Sequence, residues 1–274
     1  MSVKTLSWIL LAIIAVGAVL LFNYWASFQP LSTLAYSGFV LTMAGLANVA
    51  LPFRFLGIRK RATGALILAG GVGLAVAALL WPASVIQVAQ HKTRLDDIMP
   101  EYQFSERHSV RIHAKPEQVL QATREATWGD MKSLMTLLKI RGVVLREPFR
   151  DTGYFSHDQR ILDAFTASGY LTDSSAQEIV MFGAVNMRER RGAGVHNVQQ
   201  FVDYREQGAV KTAFDFSVED AGGGWSVLTA ETRMMVYADS TRGPAIYWRL
   251  IVPGSGLLRR EWLSGIKGRA EGGH

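Results

Sequence analysis

Apolar residues run almost unbroken through three stretches near the start of the chain: about Leu6 to Trp25, Leu31 to Phe53, and Ala62 to Trp81. Each approaches or passes the ~20 residues that an α-helix needs to cross a ~30 Å hydrocarbon core. The pattern predicts three transmembrane helices within residues 1–90. After that the rhythm changes. Arg107 to His113 alternates, with His108, Val110 and Ile112 on one side, which predicts a strand. Pro116 opens a helix with Val119, Leu120, Thr123 and Ala126 on its apolar face. Asp130 is the expected N-cap of a second helix carrying Met131, Leu134, Met135 and Leu138 inward.

A short strand is expected at Val143 to Leu145 and a short helix at Asp158 to Ala167. A meander follows: Glu178 to Arg188, Val195 to Arg205, Val210 to Val218 and Trp225 to Tyr237. Its connections read as hairpins at 191–194, 206–208 and 220–224, each holding glycine. The tail returns to a helix that Pro244 can start, Pro253 interrupts and Ser255 caps again. There Leu258, Trp262, Ile266 and Ala270 form a stripe at four-residue spacing. Residues 91–103 are polar and read as a linker. The expected organisation is a three-helix membrane region over 1–90, that linker, and an α+β domain over 104–274 whose antiparallel sheet is crossed by a long C-terminal helix.

Charge sharpens the membrane reading. The first ninety residues contain no Asp or Glu, and all 23 acids come later. Arg54, Arg59, Lys60 and Arg61 lie between the second and third runs, whereas Asn23 to Ser32 carries no charge. Short loops rich in Lys and Arg stay on the cytoplasmic side. That orientation puts everything after the third run on the outer side. A cleaved signal peptide fits the first run poorly, because Asn23-Tyr24-Trp25 stands where small residues should mark cleavage.

Small residues recur at Ala35, Gly38, Thr42 and Gly45, and at Ala65, Ala69, Gly73 and Ala77. Such stripes let helix backbones approach closely, within one chain or, in the sharper reading, across a homo-oligomer seam. Asn48, deep in the second run, is expected to make an interhelical hydrogen bond. No ionisable residue lies within a run, which argues against a pump or channel.

The formal charge of +6 comes largely from the membrane region, so the high pI is no sign of nucleic-acid binding. The absence of cysteine excludes disulfides, thiolate metal sites and Cys nucleophiles. The six histidines have no metal-ligand spacing, and no Gly-x-Ser-x-Gly is present. No catalytic residue, metal or cofactor is expected. The residues singled out are Phe214 and Phe216, which share one strand face, and Glu231, Arg233 and Met235, which share another. Glu231 and Arg233 would orient a polar headgroup if their face lined a cavity, and pair with neighbours otherwise.

The run Phe104-Ser105-Glu106-Arg107-His108-Ser109-Val110-Arg111-Ile112-His113-Ala114-Lys115-Pro116-Glu117-Gln118-Val119 resembles the first strand and helix start of the START-like superfamily, also called SRPBCC or Bet v 1-like. Leu228-Thr229-Ala230-Glu231-Thr232-Arg233, Tyr247-Trp248-Arg249-Leu250-Ile251-Val252-Pro253-Gly254-Ser255 and Leu258-Arg259-Arg260 resemble the last strand and C-terminal helix of its bacterial members. The resemblance covers roughly Phe104 to Glu271. It implies a helix-grip domain with a hydrophobic cavity. Members bind lipids, sterols or polyketides, and some are cyclases or dehydratases. The expectation is a membrane-anchored domain that binds or presents a hydrophobic molecule. The alternatives are a cyclase- or dehydratase-type enzyme and a ligand-free interaction module of an envelope complex.

Overall fold

A computed structural model describes Gly17, residues 29–50, 61–134, Thr136, and residues 156–187, 191–238 and 241–272. The first apolar run (bar Gly17) and the element expected at Val143 to Leu145 lie outside the described residues, as do Met135 and Leu138. The chain divides into two units. One holds the apolar helices together with Thr241–Gly254. The other spans Ser84–Ser240 and resumes at Ser255.

In the first unit, α1 (Pro30–Ala50) and α2 (Arg61–Leu80) are 21 and 20 residues long. At 1.5 Å per residue each spans about 30 Å. Both are long and apolar enough to cross a membrane, by length and composition. They pack antiparallel through glycine. A Cβ added at Gly38 would sit 2.6 Å from the Ala75 amide nitrogen, and one at Gly71 would sit 2.5 Å from that of Thr42. Gly45 meets the Leu68 backbone, and Gly64 meets Asn48. Glycine at these positions lets the two backbones approach this closely.

The stripe read on α1 is the one used, since Ala35, Gly38 and Gly45 are buried. The stripe read on α2 is not. Gly64, Gly71, Ala75 and Ala78 are buried, while Ala65, Ala69, Gly73 and Ala77 face away. Asn48 is 0% exposed, yet neither side-chain polar atom has a hydrogen-bond partner among the described residues, so the expected interhelical hydrogen bond is not formed among them.

The C-terminal helix α7 (Arg242–Ala270) contributes its first part to this unit. Arg249 Nη1 donates to the Leu79 carbonyl at 2.6 Å, and Tyr36 Oη donates to that of Leu250 at 2.6 Å. The last carbonyls of a helix have no intrahelical donor, and a cation there also matches the helix dipole, so Arg249 closes α2. Pro253 lies inside α7 rather than ending it, although the two units meet in sequence just after, at Gly254. Ser255 is therefore no cap.

The second unit is α+β. Its strands are β1 (Ile86–Gln87), β2 (Glu101–Tyr102), β3 (Phe104–Ile112), β4 (Leu171–Ser174), β5 (Glu178–Asn186), β6 (Arg191–Gly192), β7 (Ala209–Gly222) and β8 (Trp225–Tyr237). The main sheet is antiparallel in the order β3-β8-β7-β5-β4, with β6 added on β5, while β1 and β2 form a separate pair. The β7–β8 turn holds Gly222, Gly223 and Gly224 at φ of 75°, 62° and 79°, a region costly for any residue with a Cβ.

Helices cover both faces of the sheet. On one face, Ile179, Met181, Phe214, Phe216, Val218 and Leu228 pack with α4 (Pro116–Glu125), α5 (Ile161–Ala167) and Trp262, Leu263 and Ile266 of α7. Phe216 and Trp262 meet edge to face at 4.7 Å. On the other face, Val180, Phe182, Ala213 and Met235 pack with α3 (Arg94–Ile98) and α6 (Val198–Asp203).

That second cover corrects two expectations. Residues 91–103 are not a linker. Thr93 and Asp96 form a capping box that starts α3, and Leu95, Ile98 and Met99 are buried. Val195 to Arg205 is not a strand either. Its apolar residues Val195, Val198 and Phe201 recur every third position, and the Asn197 side chain accepts the Gln200 N–H at 2.8 Å, so a helix forms. Gly208 accordingly follows a helix and is no hairpin turn. Asp130 closes a 3₁₀ turn (Trp128–Asp130) by accepting the Thr127 N–H at 2.8 Å and pairing with Arg269 at 2.6 Å, instead of capping a following helix.

Candidate functional site

Strand alternation sends Glu106 and His108 inward along with Phe104 and Ile112, to the face that α7 covers. Glu106 is 1% exposed. Its Oε1 lies 2.9 Å from His108 Nε2, and its Oε2 accepts the Ser255 hydroxyl at 2.6 Å. Across the sheet Glu106 stands opposite Thr232, and Thr232 opposite Phe214. One turn along α7 from Ser255, the Arg259 guanidinium lies 5.5 Å from the centre of the Phe214 ring. Arg259 Nε and Nη1 are shut from solvent and have no hydrogen-bond acceptor among the described residues, and the Thr232 hydroxyl is likewise without a partner. Burial lowers the Arg259 pKa from its usual value, against the pull of Glu106 and Asp215. A guanidinium still stays protonated in water-accessible pH ranges. The result is a polar locus under α7 in an otherwise apolar layer.

Beside it lies a cleft of about 400 Å³, lined among others by Tyr170, Leu171, Val185, Val195, Val210 and Thr212. Tyr170 belongs to both regions, because its ring stands 5.8 Å from that of Phe214. Phe214 and Phe216 do not line an open space. Both are buried in an aromatic cluster with Phe165, Tyr170 and Trp262. They fill the centre of this layer, and the remaining volume is displaced to the margin of β5 and β7.

Glu231, Arg233 and Met235 are on the opposite face, so the sheet separates them from Phe214 and Phe216. Arg233 and Met235 are buried there, and Glu231 is mostly so. Arg233 donates from Nε to Glu231 at 2.6 Å, from Nη2 to Asp96 at 2.7 Å and from Nη1 to the Met99 carbonyl at 3.1 Å, with the Tyr102 ring 4.8 Å from its centre. Each nitrogen is engaged, which makes the pair structural: it pins α3 to β8. Met235 joins the apolar cluster around Phe182 and Phe201.

Glu178 completes the attachment of α3 by accepting the N–H groups of Arg94 (2.7 Å) and Leu95 (2.9 Å), donors otherwise orphaned at a helix start. Burial alone would raise the Asp96 carboxyl, but the Lys92 N–H, Arg233 and Thr93 outweigh it and hold Asp96 at about 2. Asp215, facing Glu178 and Glu231, goes the other way. Burial first, then the Glu178 charge, push it well above the usual carboxylate range. Lys211 donates to the Val202 carbonyl at 3.0 Å and lies 4.6 Å from the Phe201 ring centre, closing the end of α6. Burial, then Arg205, lower it to about 8.

The sequence groups His108 with Val110 and Ile112 on one strand side, but Glu106, Thr232, Ser255 and Arg259 are not singled out there as site residues. The signal was present in spacing, since Ser255 and Arg259 are four apart, as are Leu258 and Trp262. Among the described residues no cluster of His, Asp or Glu could hold a metal ion. No known protein family, curated protein or solved structure matches the chain.

Proposed function

We propose that this chain is a membrane-anchored helix-grip protein of the START-like type, whose sheet unit binds or presents a hydrophobic small molecule or lipid. The observation that carries the reading is the cleft of about 400 Å³ at the β5–β7 margin, walled by Tyr170, Leu171, Val185 and Val210. That volume falls in the range of small-molecule pockets, which are mostly apolar with few polar groups. The order of elements supports the superfamily assignment: a first strand, helices, an antiparallel run and a long C-terminal helix on one sheet face. The two apolar helices and the acid-free first ninety residues support the membrane anchor. The basic loop at Arg59, Lys60 and Arg61 supports an outer-side sheet unit.

A second reading, a ligand-free interaction module, is favoured by the aromatic filling of the central layer. The two are separated by mass spectrometry of lipids that co-purify with the detergent-solubilised full chain, and by displacement of a fluorescent fatty acid. Val210→Trp, which fills the cleft, is expected to abolish binding while the protein melts as before. No co-purifying lipid and no binding across a broad panel leave the interaction module standing. A reporter fused after His274 is expected to behave as exported, and cytoplasmic activity there refutes the orientation.

A further inference from the structure

The structure assigns a second element of the ligand: we infer that Arg259, with Thr232 beside it, receives the carboxylate head of a monoanionic amphiphile whose apolar tail occupies the cleft. This rests on the cleft reading above and adds the chemistry of the head. The motive is a half-buried arginine whose inward nitrogens have nothing to hold. Nε and Nη1 of Arg259 are closed to solvent without an acceptor among the described residues, and so is the Thr232 hydroxyl. A buried donor left unmade costs the full desolvation of the group, and a buried charge costs more. Glu106 makes no bond to those nitrogens; its two oxygens instead engage His108 and Ser255. The same two partners hold it in place beside the guanidinium.

The choice of anion follows from the charges. One guanidinium faces two carboxyl groups that act on it, Glu106 first and then Asp215. A dianion such as a phosphate monoester would meet the repulsion of Glu106 with a single cation to offset it. A carboxylate carries one charge, and the planar guanidinium donates to it in pairs. Thr232 supplies a further donor from the sheet. The tail's position follows from Tyr170, which lines the cleft on one side and packs on Phe214 on the other, while Arg259 lies over that same Phe214 ring. The polar locus is thus one side chain, Tyr170, from the cleft.

The test uses the full chain in a nonionic detergent and two probes with the same tail, oleate and oleyl alcohol, followed by equilibrium binding. The wild type is expected to prefer oleate at least tenfold. R259Q is expected to lose that preference while its affinity for the alcohol stays within about threefold. Thr232→Val is expected to weaken oleate alone by a fewfold. If R259Q fails to fold, R259K keeps the charge but loses the paired donors, and the preference for oleate is expected to fall with it. Equal binding of both probes by the wild type, or an undiminished preference in R259Q and R259K, overturns the carboxylate site and leaves the cleft reading intact. Binding of neither probe by the wild type overturns both. Acetate at the same concentrations is expected not to compete, and competition by acetate overturns the role of the tail.

Discussion

Replacing Asp215 by Asn tests whether a buried carboxyl on the α3 side of the sheet is held protonated. Asp215 is 2% exposed, accepts the Glu231 N–H at 2.9 Å and shares a hydrogen bond with Glu178. Glu178 already accepts two N–H groups from α3, so the proton between the carboxyls belongs on Asp215. Its folded pKa lies above the unfolded value of about 3.9. The folded state then keeps a proton that the unfolded state releases. Stability from this group is complete below the unfolded value and is lost as pH rises toward the folded one, at up to about 1.4 kcal/mol per pH unit.

Asparagine has the same shape, keeps the oxygen that accepts Glu231 N–H, offers Nδ2–H to Glu178 and does not titrate. The difference between D215N and wild type is expected to start near zero at pH 4.5 and grow in favour of the variant up to pH 7.5. Asp96, at about 2, and Lys211, at about 8, lose or gain their protons outside that window. Thermal melting of the full chain in detergent measures it. D215A, which strands the Glu231 N–H and leaves Glu178 without its donor, is expected to cost about 1–3 kcal/mol at every pH in the window. Parallel pH profiles for D215N and wild type, or a D215N variant weaker by more than about 1 kcal/mol at pH 7, refute the protonated carboxyl.

Trp262→Ala, which empties the centre of the aromatic cluster, is expected to lower stability by about 3–5 kcal/mol in a denaturant titration. Gly71→Leu is expected to separate α1 from α2, since its side chain would enter the Thr42 backbone; cysteine pairs across Gly38 and Ala75 should then fail to cross-link. Arg233→Met leaves Asp96 and Glu231 buried without their cation and is expected to cost about 3–5 kcal/mol. Arg259→Met, with no bonded partner to strand, is expected instead to raise the melting temperature of the ligand-free protein by a few degrees, as about 1 kcal/mol would in a domain of this size.

The strands β3, β7 and β8 were readable because each alternates over many residues, and α4 because Pro116 marks its first turn. The α7 stripe was readable for its four-residue repeat, but the helix's passage through Pro253 was not, since proline's usual effect is to break. The elements missed on the other face are the short ones. α3 has five residues, too few for periodicity to register, and Leu95, Ile98 and Met99 sit among charges that mimic a solvated linker. α6 was mistaken for a strand because six residues fit either period. On α2 almost every position is small or apolar, so nothing in composition separates the face of Gly64 and Gly71 from that of Ala65 and Ala69. Among site residues, Phe214 and Phe216 were readable as a shared face. That they fill the layer instead of lining it depends on Phe165 and Tyr170, which arrive from α5 and the start of β4.

Two arginines of the sheet unit, Arg233 and Arg259, stand in contrasting surroundings. Glu231 and Arg233 drew attention because opposite charges two residues apart on a strand share a face. That same proximity lets them satisfy each other, and Asp96 and the Met99 carbonyl take the remaining donors. A guanidinium so fully engaged has nothing left to offer a ligand, and its burial fixes α3 on the sheet. Arg259 was passed over because a cation beside an apolar helical stripe reads as the solvated edge of an amphipathic helix. Its position puts the guanidinium on the Phe214 ring, with Nε and Nη1 shut from solvent and the neighbouring acid Glu106 engaged by His108 and Ser255. A native fold that retains buried donors without an acceptor gives up stability for them, and such a position is where sequence and folding requirements part. The two arginines thus differ in engagement and in burial: Arg233 is nearly closed to solvent with every guanidinium nitrogen bonded, whereas Arg259 is half-buried and its Nε and Nη1 have no acceptor among the described residues.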